Sequence, residues 1–173
     1  MTDQSESILY KAIRHIKEMP TDEWKRLTME FMDDQPYLNG FLINLSEEFG
    51  DEEHEALVRV AVMLHHAFKL ADVPMRTIVQ STIDDVVRDK VREYEEMDEE
   101  DELGVDEMTR MSSSPRVFDD IRRFLKEELN NGIPRDLSEK QNLFLIVEVM
   151  IEAYELSAII GDAYDKNQKE NGN

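Results

Sequence analysis

The sequence predicts an all-α protein, a helical bundle of about six or seven helices, and three observations carry this prediction. Apolar residues recur three and four positions apart along most of the chain, which is the period of an amphipathic helix. No stretch alternates apolar and polar residues in the manner of a half-buried strand, and no hairpin dipeptide separates two such stretches. Of the 173 residues, 40% are hydrophobic, which is enough for one domain to bury a core.

Three helices are predicted before residue 50, and their ends are marked by proline, threonine and glycine. The segment 5–19 carries one apolar stripe and ends at Pro20, after which Thr21 is expected to cap the second helix. Pro36 is expected to open a third, short helix, because proline is favoured in a first helical turn. Gly50 is expected to close that helix, because glycine adopts the left-handed conformation common just past a helix end.

Two longer helices follow. The segment 51–71 starts with the acids "DEE", which favour the positive end of the helix dipole. Asp72 and Pro74 are expected to stop this helix and to start the next one at once, with Asp72 as its cap. The 3.6-residue period of the fifth helix continues towards the acidic segment that begins near residue 95.

The domain organisation predicted from these patterns is a single domain made of two helical halves. The N-terminal half covers 1–97, and an acidic, serine-rich linker or mobile loop covers 98–114, where like charges oppose ordering. The C-terminal half, 115–165, is expected to pack on the first, and 166–173 is expected to be a disordered tail.

The C-terminal half holds the most apolar helix, 142–164, which Ser138 and Gln141 are expected to open as a capping box. This helix resembles the earlier one, since 143–158 aligns with 57–71 and each follows a short helix. A duplication would give a pseudo-two-fold bundle with two long central helices. The alternative is that two amphipathic helices of similar length resemble each other by composition alone.

The net charge of the chain limits the classes of partner that it is expected to bind. Forty acids and twenty bases give a net charge of −20, and ten of the acids fall in 93–107. Such a field repels phosphate backbones and anionic lipids, so we expect no direct nucleic-acid partner and no membrane partner. The alternative reason for this acidity is a high-salt cytoplasm.

The residue types of the chain also bear on its location and chemistry. The absence of cysteine excludes a disulfide framework and a thiolate zinc site. The first 19 residues contain acids and lack the apolar stretch of a secretory signal, so a cytoplasmic location is expected. No catalytic constellation and no cofactor motif is evident.

Two adjacent histidines, His65 and His66, stand in the apolar run "VAVMLHHAFKLA". Neighbouring side chains on a helix point about 100° apart, so the two imidazoles are poorly placed to chelate one ion. His65 shares a face with Leu57 and Phe68 and is expected to be buried. His66 shares a face with Arg59 and is expected to lie on the exposed polar strip.

Glu148, Glu152 and Glu155 are spaced to share one face of the most apolar helix. Because the rest of this helix is apolar, we expect these glutamates to form its narrow solvent-exposed strip. The chain contains no Glu-x-x-His, the motif of ferritin-like di-iron bundles. A mixed metal site made by His65 or His66 with Glu148 or Glu152 remains an alternative.

Together these patterns predict a non-catalytic acidic helical protein that acts by protein–protein interaction or self-association. Its amphipathic helices and ten methionines favour this interpretation, because methionine adapts to irregular apolar partners. The first alternative is an acidic decoy that binds a basic protein, as DNA mimics do. The second alternative is a His/Glu metal-dependent enzyme.

Overall fold

A computed structural model describes residues 8–98, 119–132 and 140–158, and these ranges contain seven helices and no strand. The all-α bundle predicted from the sequence is therefore confirmed. The helices are α1 (Ile8–Lys17), α2 (Thr21–Asp34), α3 (Pro36–Leu45), α4 (Asp51–Leu70), α5 (Gln80–Asp98), α6 (Asp119–Asn131) and α7 (Lys140–Ser157). None of these helices is long and apolar enough to cross a bilayer.

Helix α4 is the centre of the bundle, since α1, α2, α3, α6 and α7 all pack against it. Every side chain from Val60 to Phe68 is buried, which explains why its sequence is apolar on nearly every side. Helix α7 packs against α4, α5 and α6. The two long helices therefore touch, as a duplication requires, and Phe68 stacks on Tyr154 with ring centroids 5.5 Å apart. The duplication itself stays a prediction.

Two predicted helix ends are wrong. Pro20 occupies the cap position of α2, where no side chain makes a capping bond, and Thr21 is the first helical residue. Gly50 does not close α3, which ends at Leu45; it has an extended conformation and caps the start of α4. Proline at position 36 does open α3, as predicted. The error at Gly50 arises because a short turn separates α3 from α4, so the glycine belongs to the following helix.

The predicted start of the fifth helix at Asp72 is also wrong. Asp72 has a left-handed backbone with φ of 58°, and the chain then runs without helix until α5 begins at Gln80. Gln35, which is buried, holds this segment, since its amide accepts a bond from the Ile78 N–H at 2.7 Å and donates one to the Arg76 carbonyl at 3.2 Å. A distant side chain thus supplies the hydrogen bonds that a helix would otherwise supply.

Several predictions fall outside the described residues. These are the linker beyond Asp98, the cap at Ser138, the end of the last helix beyond Ala158 and the tail 166–173. The division into two halves of one domain stays a prediction. Two features of the fold bear on function. One is a set of buried polar side chains around α4 and α7, and the other is the surface between α2 and α4.

Candidate functional site

His65 lies at the junction of three helices and is only 2% exposed. Its Nε2 is 2.9 Å from Oδ2 of Asp34 at the end of α2, and its Nδ1 is 2.9 Å from the hydroxyl of Tyr154 on α7. A carboxylate only accepts hydrogen bonds, so Nε2 carries the proton and Nδ1 accepts from the phenol. We call this Asp34–His65–Tyr154 arrangement the histidine network. The predicted burial of His65 is confirmed.

The charges in the histidine network follow from its burial. Burial lowers the pKa of His65, although the hydrogen bond to Asp34 acts in the opposite direction. Burial alone would raise the pKa of Asp34, but the hydrogen bonds from His65 and Lys69 outweigh it and hold that pKa below its ordinary value. Burial raises the pKa of Tyr154 well above 10, so its phenol remains a donor. At neutral pH the network is a neutral imidazole between a carboxylate at the surface and a buried phenol.

His66 is not on an exposed strip, and that prediction is wrong. Its side chain is buried because α2 covers this face of α4, and its Nε2–H donates to the Leu27 carbonyl at 2.7 Å. Its Nδ1 faces Oε2 of Glu30 at 3.7 Å, which is too long for a direct hydrogen bond. Burial lowers the pKa of His66 as well. The two imidazole rings are 5.0 Å apart.

Glu148 does not face solvent either, and the predicted glutamate strip is wrong at this position. The residue is 4% exposed, and its carboxylate is 2.8 Å from Nε of Arg122 and 2.7 Å from Nζ of Lys126. Arg122 and Lys126 lie one turn apart on α6, so both reach the same carboxylate on α7. Sequence reasoning missed these two cations, although their positions beside the apolar residues Ile121 and Leu125 were a usable signal.

Glu152 lies one turn further along α7 and is also turned inwards. Nζ of Lys90 on α5, a residue only 3% exposed, is 3.5 Å from its carboxylate. We call Lys90, Arg122, Lys126, Glu148 and Glu152 the ionic cluster. Burial lowers the pKa of Lys126, while the neighbouring Glu148 acts in the opposite direction.

The four proposed metal ligands therefore lie in different environments. His65 and His66 bind a carboxylate and a carbonyl of α2 and a phenol of α7, whereas Glu148 and Glu152 face ammonium and guanidinium groups. In 8–98, 119–132 and 140–158, no three histidine, aspartate or glutamate side chains converge as metal ligands do.

An open groove lies between α2 and α4 and has a volume of about 620 Å³. Its apolar surface comes from Trp24 and Met29 of α2 and Val58 of α4, and the guanidinium of Arg59 lies 4.4 Å from the centre of the Trp24 ring. The side chain of Met29 is 66% exposed although it stands beside this apolar surface. Its full lining is Thr21, Trp24, Lys25, Thr28, Met29, Glu55, Val58 and Arg59, and we call it the α2/α4 groove.

A smaller, more acidic depression of about 310 Å³ adjoins this groove. Glu55 and Arg59 line both, and Glu52 and Glu128 add two further carboxylates to the depression. Glu128 is paired with Lys17, whereas Glu52 and Glu55 are exposed. The apolar surface between α2 and α4 therefore continues into a surface with an excess of negative charge.

These features differ in what they can bind. The histidine network and the ionic cluster are largely buried. In each, the polar side chains bind one another across neighbouring helices, so both hold the helices together. The α2/α4 groove is open and combines an aromatic ring, a flexible thioether and a charged edge. Comparison of the chain with protein-family models, curated proteins and solved structures finds no match.

Proposed function

We propose that this chain is a non-catalytic binding protein whose α2/α4 groove receives an amphipathic helix, rich in basic residues, from a partner protein. The observation that carries this proposal is the open apolar surface made by Trp24, Met29 and Val58. A cytoplasmic location, expected from the sequence, is part of the same proposal.

The shape and chemistry of the groove favour a helical partner. An amphipathic helix lays its apolar face into a groove between two helices and anchors it with residues one turn apart. Tryptophan and arginine, which meet here as Trp24 and Arg59, dominate the energetics of many interfaces. An exposed methionine such as Met29 adapts its shape to different apolar side chains.

The charge favours a basic partner over a second copy of this chain. Two chains that each carry −20 repel one another, whereas a basic helix is attracted and steered towards the surface. Glu52 and Glu55 lie in the acidic depression beside the groove, where lysine or arginine residues flanking the apolar face of the partner would meet them. Within the groove itself Lys25 and Arg59 outnumber Glu55, so the basic residues of the partner would face the acidic depression rather than the groove.

The surroundings of the histidines and glutamates support a non-catalytic role. His65, His66 and Glu148 are each at most 5% exposed, and each is bonded to a neighbouring helix. A general acid or base has to reach its substrate within hydrogen-bond distance. We therefore assign these side chains to the stability of the bundle.

The test uses a synthetic amphipathic peptide of lysine and leucine, about 18 residues long, and a scrambled peptide of the same composition. Trp24 is the only tryptophan, so its emission reports binding directly. Met29→Glu places a charge on the apolar surface and should weaken binding at least about tenfold, or about 1.4 kcal/mol. Ile43→Glu on α3 is the matched control, because it makes the same charge change at a 53% exposed residue outside the groove.

Four results would overturn the proposal. Equal binding of the helical and scrambled peptides, or equal effects of the two substitutions, would show that the groove is not the site. Binding lost when the acids of 95–107 are replaced by their amides, but kept in Met29→Glu, would favour the acidic decoy. A dimer in light scattering that Met29→Glu dissociates would favour self-association.

A further inference from the structure

The contact between α2 and α4 contains both buried histidines and also carries the groove. Along α4, Val58 and Arg59 line the groove, and His65 and His66 follow about two turns later. Along α2, Trp24 and Met29 line the groove, and the partners of the histidines lie on the same helix: the Leu27 carbonyl, Glu30 and Asp34. We call this contact the α2/α4 seam.

We propose that the α2/α4 seam is a pH-responsive latch, which opens when His65 and His66 take up protons and thereby disrupts the α2/α4 groove. This inference deepens the proposed function and depends on it for its biological use. The latch itself is a property of the chain alone and can be tested without a partner.

Protonation of His65 conflicts with its hydrogen bonds. The new proton on Nδ1 would point at the Tyr154 hydroxyl, which already donates to that nitrogen over 2.9 Å. The hydroxyl proton would then need another acceptor inside a site where Tyr154 is completely buried. A charged imidazole is also held there by a single carboxylate, Asp34, whose other neighbour is Lys69 at 3.1 Å.

Protonation of His66 adds a second charge nearby. Two imidazolium rings with centres 5.0 Å apart would repel each other, and Lys69 would repel both. The groups on α2 that attract them are Asp34 and Glu30, and the latter lies 3.7 Å from Nδ1 of His66. For both histidines burial is the largest single influence on the pKa, and the net shift of the pKa is downward.

The downward shift of both histidine pKa values determines how closure of the seam depends on pH. Burial lowers the pKa of both histidines below 6.5, so the closed seam binds fewer protons than an open seam whose imidazoles meet water. Closure is therefore favoured above 6.5 and is progressively lost as the pH falls below that value. Movement of α2 away from α4 would solvate both rings and separate Trp24 from Arg59.

The experiment follows the emission and the acrylamide quenching of Trp24 in the full chain from about pH 8 to about pH 4.5. The expected result is a red shift and increased quenching with a midpoint below 6.5, while the far-ultraviolet circular dichroism stays helical. The double variant His65→Gln/His66→Gln should lose this transition. The other two histidines supply the control, since His15→Gln/His54→Gln should keep both the transition and its midpoint.

The inference fails if Trp24 emission is constant over this range, if the transition persists unchanged in His65→Gln/His66→Gln, or if helical structure is lost at the same pH. Should that double variant not fold at pH 8, the histidine C–H resonances of the unaltered chain must titrate together with the Trp24 indole resonance. Binding of the lysine–leucine peptide that is equal at pH 8 and pH 5 would reject the latch and keep the proposed function. No peptide binding at pH 8 would reject the function and leave the Trp24 titration as the test of the latch.

Discussion

The histidine network and the ionic cluster are two buried polar assemblies that meet different faces of the same helix, α7. The first joins Tyr154 to a neutral imidazole, and its one charged member, Asp34, lies near the surface beside Lys69. The second surrounds Glu148 with two full positive charges, and the side chains of Arg122, Lys126 and Glu148 are each at most 5% exposed. An assembly whose buried members are neutral can lose one hydrogen bond and adapt, whereas one whose buried members are charged cannot lose a partner without leaving a buried charge.

The largest loss of stability is expected for Glu148→Gln. The substitution keeps the shape of the side chain but leaves Arg122 and Lys126 without this counter-charge, and removal of one partner of a buried ion pair costs about 3–5 kcal/mol. Urea denaturation at neutral pH measures the free energy of unfolding. The matched control is Asp85→Asn, which breaks the exposed pair with Arg88 and should change stability by less than about 1 kcal/mol.

A loss in Glu148→Gln no larger than that of its control would contradict the comparison. It would mean that water or neighbouring groups solvate Arg122 and Lys126 well enough to replace the carboxylate. The ionic cluster would then be as tolerant as the surface of the bundle.

A smaller effect is expected for Tyr154→Phe in the histidine network. The ring and its stacking on Phe68 remain, but Nδ1 of His65 loses its donor, and an unsatisfied buried acceptor costs about 1–3 kcal/mol. The same denaturation experiment measures this cost, with Tyr37→Phe as the control at an exposed tyrosine. A cost equal to that of Glu148→Gln would show that the two networks do not differ as proposed.

The fold of this chain was predictable because helix periodicity is a local property. The stripes that contain Ile13, Phe31 and Leu125 are buried, and Pro36 opens a helix where the sequence indicates. Periodicity also placed His65 on the buried side. It could not place the start of α5, because Gln35, 43 residues before Ile78, supplies the hydrogen bonds that hold that segment.

The polar sites were predicted less well, for a physical reason. A helical wheel shows which side chains share a face, but it does not show what covers that face. His66 and Glu148 were both assigned to solvent because they stand with polar neighbours, yet α2 covers the first and α6 the second. The cations that face Glu148 lie on α6, beside apolar residues, and only the packing of α6 on α7 brings them together.

The smallest effect on stability is expected for Lys69→Gln. This substitution should change the pKa values of the histidines without breaking the hydrogen bonds of the histidine network. Lys69 is exposed and pairs with Asp34 and Glu30, so its loss should cost less than about 1 kcal/mol. Burial lowers the pKa of His65 and of His66, and the charge of Lys69 lowers both further. Removal of this charge should therefore raise both pKa values and move the onset of proton uptake to higher pH.

Titration of the histidine C–H resonances by nuclear magnetic resonance measures this shift, with Arg88→Gln as a control because Arg88 pairs with Asp85 and Asp89 on α5. If the histidine pKa values rise in Lys69→Gln but not in Arg88→Gln, with stability almost unchanged, the histidine network and the ionic cluster respond differently to the loss of a charge. The pKa values of the buried histidines then depend on an exposed charge nearby, whereas the stability of the ionic cluster depends on its own buried charges. Unmoved histidine pKa values would instead show that water screens Lys69 from the seam, and the latch would then depend on burial and on the two carboxylates of α2.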